Sequence, residues 1–150
     1  EPGPAFFRVN GASPYDTGVE DRIQGGITRA GITFPTGVVE ARIDGHGNVT
    51  ATLDLATACA VLAADGQIDR YALDPIVCLG ELNWDGFVCK VMNLRAVVQA
   101  AYDAGHRTVL VPATQVVEVR QMGFKNLTVI GARHLTQAVD AVNNLAQTED

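Results

Sequence analysis

Two charged residues fall in the first turns of predicted helices, Asp54 and Arg95. Asp54 opens a run of small and apolar residues predicted to be a helix, and a first-turn carboxylate complements the helix macrodipole, so on its own it reads as a good helix start. Arg95 falls in the first turn of a second predicted helix, where a cation costs roughly 0.3 to 1 kcal/mol and calls for compensation by water or by a carboxylate. Hydroxyl nucleophiles are scarce. Ser13 is the single serine and lies in an N-terminal turn, while Thr52 and Thr57 flank Asp54 without a lysine or histidine plainly poised as their base.

Other reactive side chains are dispersed. Cys59, Cys78 and Cys89 are odd in number, widely spaced and set among apolar residues, which predicts buried free thiols in a reducing cytosol. His46, His106 and His134 lack metal-ligand spacing, so no metal site is expected. The loop 44–48, DGHGN, has two glycines and an aspartate but neither GxxxxGK[ST] nor GxGxxG, and it reads as a turn without a nucleotide. No cofactor is expected in this domain.

Bulk properties narrow the class. The 150 residues suit one domain, and 47% hydrophobic with 19% charged residues describes an ordinary globular protein rather than a disordered one. A net charge of −6 argues against a surface that binds DNA by itself, because such affinity comes from cations neutralising phosphates. No apolar run reaches the ~18 residues of a membrane span and no signal peptide is visible, so a soluble, cytoplasmic protein is expected, with no membrane partner. The chain begins at Glu1 without a methionine and reads as a fragment of a longer one.

The elements that would position these residues follow from periodicity. Residues 4–9 read as a strand, 11–14 as a turn, and 17–30 as a helix started by a Thr17/Glu20 capping box and carrying a Val19, Ile23, Ile27 stripe. Gly25 and Gly26 inside it imply either close approach to another backbone or a frayed helix. Residues 32–34, 38–43 and 49–52 read as extended, 54–64 as a helix buried on most sides, and 67–75 as a polar connection into a strand at 76–79. Asn83-Trp84-Asp85-Gly86 then predicts a hairpin turn. Asn93 reads as an N-cap for a helix with Leu94, Val97, Val98 and Ala101 on one face, stopped by Gly105 and followed by a strand at 108–111. A short helix over 114–121, a strand over 127–130, a helix over 135–145 and a polar tail over 146–150 complete an α/β domain with a mixed, partly parallel sheet.

The run 80–113, GELNWDGFVCKVMNLRAVVQAAYDAGHRTVLVPA, resembles the hairpin, helix and strand of Lon-protease-like domains. PGPAF at 2–6, GITFPTG at 31–37, DLA at 54–56 and GELNWDG at 80–86 are similar, in the same order, to motifs of the N-terminal domain of the ComM and magnesium-chelatase-like AAA+ ATPases. The resemblance covers nearly the whole chain and implies a Lon proteolytic-domain-like fold, that of ribosomal protein S5 domain 2.

Matching the motifs places Asp54 at the serine and Arg95 at the lysine of the Lon catalytic dyad. Arginine keeps its proton, with a pKa above about 12, and a carboxylate cannot replace an alkoxide, so the resemblance implies a degenerate dyad and no hydrolase. It further implies that Asp54 and Arg95 lie together as an ion pair. By the same resemblance the domain would be an assembly or interaction module, homo-oligomeric through its parent protein. ATP and Mg would belong only to a separate ATPase domain, and any DNA contact to other domains. A stand-alone ligand- or protein-binding domain and a peptidase with an unorthodox nucleophile remain alternatives.

Overall fold

The computed structural model describes residues 4–11, 18–43 and 51–148. Strand β1 (Pro4–Asn10) leads through helix α1 (Val19–Arg29) to β2 (Gly37–Arg42), and the two strands pair in parallel with Phe7 opposite Val39 and Val9 opposite Ala41. A 3-10 turn (Ala51–Leu53) opens α2 (Asp54–Ala64), and α3 (Arg70–Leu73) precedes β3 (Ile76–Cys78). The hairpin β4 (Glu81–Leu82) and β5 (Val88–Cys89) feeds α4 (Leu94–Asp103) and β6 (Thr108–Pro112). A second 3-10 turn (Ala113–Gln115), α5 (Val116–Gln121), β7 (Thr128–Ala132) and α6 (Leu135–Thr148) follow.

The α/β class is as expected, but the described strands form three sheets rather than one mixed sheet. These are the parallel pair β1-β2, the parallel sheet β3-β6-β7, and the antiparallel hairpin. In β6, Leu110 joins the core built by α1, α2 and α6, whereas Val109 and Val111 join a second core with Leu94 and Val98 of α4 and Val119 of α5. Both faces of the three-stranded sheet are therefore covered, which is why its strands read as unbroken apolar runs.

Several local expectations give way to identifiable physics. Residues 32–34 are not a strand: Pro35 has no N–H for a ladder, and Phe34 is instead buried edge-on against Phe7, ring centroids 5.0 Å apart. Helix α1 spans Val19–Arg29 after Gly18, and Glu20 accepts from the backbone N–H of Val9 at 3.0 Å. Thr17, residues 12–14 of the expected turn and the loop 44–48 lie outside the described residues. Within 49–52, the described Ala51 and Thr52 belong to a 3-10 turn rather than a strand. The connection 67–75 holds α3, capped by Asp69 accepting from the N–H groups of Tyr71 (3.0 Å) and Ala72 (2.9 Å). The polar tail continues as helix to Thr148 because Leu145 and Ala146 still pack on the core.

The glycines of α1 mark close approach. Cβ atoms built on Gly25 and Gly26 would stand 3.1 Å from the Trp84 ring and 3.3 Å from the Asn83 carbonyl oxygen. The other side of the hairpin is tied to α6, with Leu135 N–H donating to Gly86 (2.8 Å) and Val88 N–H to Arg133 (2.8 Å).

Candidate functional site

The start of α2 is the most constrained polar point in the described core. Leu53 precedes the helix without a side-chain cap, so the first turn relies on tertiary partners. Leu55 N–H donates to Gly80 (3.0 Å) and Gly80 N–H to Thr52 (2.9 Å), which stitches the helix start to the β3–β4 link. A side chain at Gly80 would strike Val88, its Cβ 2.6 Å from a valine methyl.

Asp54 is buried here at 2% exposure, and its carboxylate is gripped from α1. Arg22 donates Nε to Oδ2 at 2.9 Å and Nη2 to Oδ1 at 3.0 Å, the two-pronged geometry that guanidinium and carboxylate favour. Leu82 N–H adds a donor to Oδ2 at 3.1 Å. One carboxylate thus fastens α1, α2 and β4 together.

The expected ion pair between Asp54 and Arg95 is not formed. Arg95 is exposed on α4 beside a shallow depression shared with Asn93, Ala96 and Gln99, and it makes no ion pair among the described residues. Leu94 and Val98 take the buried face of α4, and Arg95, one residue and about 100° round from Leu94, is turned to water. Water is therefore what compensates its first-turn charge. Asn93 does precede the helix, but in the left-handed conformation (φ 54°) and without a side-chain cap.

Other candidates are structurally committed. Thr57 donates its hydroxyl to the Leu53 carbonyl at 2.8 Å, one turn back in its own helix. Ser13 and His46 lie outside the described residues. His134 takes the Thr136 N–H on Nδ1 (3.3 Å), which leaves Nε2 to donate to the Asp85 carbonyl (2.9 Å), so it braces the hairpin. His106 is exposed. No group of residues suited to a metal ion occurs among the described residues.

The thiols are free, with Cys59 and Cys78 buried as expected and Cys89 only half-buried near the hairpin end. Contact with Cys78 and burial push the Cys59 thiol well above its ordinary range. Cys89 is raised by burial and then by the nearby Glu81 carboxylate.

Sequence reasoning missed Arg22 as the partner of Asp54. A signal existed: Arg22 is three residues from Val19 and four from Gly26, so it borders the buried face of that helix. Gln115 was missed too. It is 4% exposed and grips the backbone of Val91, accepting its N–H at 2.9 Å and donating to its carbonyl at 3.1 Å.

A family model described as ChlI, subunit ChlI of Mg-chelatase, matches residues 19–115. That span begins with α1 and ends at Gln115, taking in Arg22, Asp54, the hairpin and Arg95. No curated protein matches the chain.

Proposed function

The chain belongs to the family of Mg-chelatase subunit ChlI, and from that premise we propose that it is a proteolytically inactive, Lon-like domain. It serves as an assembly or interaction module of a ComM- or magnesium-chelatase-like ATPase in the cytoplasm. The observation that supports this reading is the state of Asp54. The residue that the Lon resemblance puts in the nucleophile's place is a buried carboxylate holding three N–H donors. Its partner is an arginine, which holds its proton at any physiological pH and cannot act as a base. With Arg95 turned to solvent, the support comes from Arg22 and Asp54 rather than from a degenerate pair at the two dyad positions.

In this reading the domain contributes a rigid shape. Nucleotide and Mg are bound by a separate ATPase domain, self-association runs through the parent protein, and any DNA contact falls to other domains because this chain carries a net charge of −6.

Incubation with unfolded casein and a serine-directed phosphonate probe tests the inactive part: neither turnover nor labelling is expected, and either would refute it. The assembly part predicts GxxxxGK[ST] in the encoded full-length sequence and a ring-sized species in sedimentation of that protein. A strict monomer with the ATPase domain attached would refute the assembly role.

A further inference from the structure

We draw no further inference here: the strongest candidate, the aromatic surface of the β4–β5 hairpin, where Trp84 (53% exposed) lies against Gly25 of α1 and Phe87 (45% exposed) stands edge-on to His134 at the start of α6, carries nothing because nothing in the structure shows what covers it.

Discussion

Gly86 lies so close to Gly26 that a β-carbon on Gly86 would stand 2.8 Å from the Gly26 carbonyl oxygen. Gly86 also has a positive φ of 89°, which costs a residue with a side chain roughly 1 to 2 kcal/mol. The hairpin closes on α1 only because both conditions are met by glycine. Gly86→Ala is expected to cost about 2 to 3 kcal/mol in urea unfolding, the conformational cost plus the strain of the contact. Gly66 has a similar φ of 82° with open space around it, so Gly66→Ala is expected to cost only about 1 kcal/mol. Equal losses would show that the helix and hairpin are not in tight contact.

Gln115 replaces a missing strand partner for Val91, itself 2% exposed. Gln115→Ala leaves a buried N–H and a buried C=O unmet at about 1 to 3 kcal/mol each, so a total loss of about 2 to 6 kcal/mol is expected. Gln115→Glu keeps the acceptor but sets a carboxylate against the Val91 carbonyl. Protonation lets that side chain donate again, so this variant should regain stability relative to the parent as pH falls. An unfolding midpoint gap that stays constant between pH 7 and pH 4 would contradict the two-bond geometry.

The raised Cys59 thiol carries a pH signature. The folded chain keeps its proton where the unfolded chain begins to lose it, near pH 8.5. The contribution is complete below that range and is lost as pH rises through it. Parent and Cys59→Ala compared by urea unfolding from pH 7 to pH 10 should converge as pH increases, whereas a constant separation would remove the effect. Native labelling with a thiol reagent should reach the half-buried Cys89 first.

Arg95 faces water, so Arg95→Met is expected to change stability by no more than about 0.5 kcal/mol, the size of an ordinary surface substitution. A loss of several kcal/mol would restore a buried role for it.

Much of the framework was legible because its signals are local. The stripe of Val19, Ile23 and Ile27, the helix Asp54–Ala64, the hairpin at Asn83 to Gly86 and the apolar β6 each follow from periodicity or turn chemistry within a few residues. What failed depends on distant partners. Phe34 was drawn from an extended run onto Phe7. Asp54 and Arg95 were expected together because the Lon resemblance aligned both with dyad positions, yet the guanidinium that reaches Asp54 comes from a helix 32 residues earlier. Nothing in the spacing of Arg22 names its partner. Its spacing from Val19 and Gly26 shows only that it borders the buried face of α1.

The sharpest measurement is a double-mutant cycle on Arg22 and Asp54, with Arg22→Met and Asp54→Leu made singly and together and unfolded in urea. Each single change strands a charge in or near the core and should cost about 3 kcal/mol, while the double variant strands none and should recover at least about 1 kcal/mol of their sum. Additive losses, or a coupling of Asp54 to Arg95 instead, would contradict the assignment of Asp54 as a structural clamp rather than a reactive group.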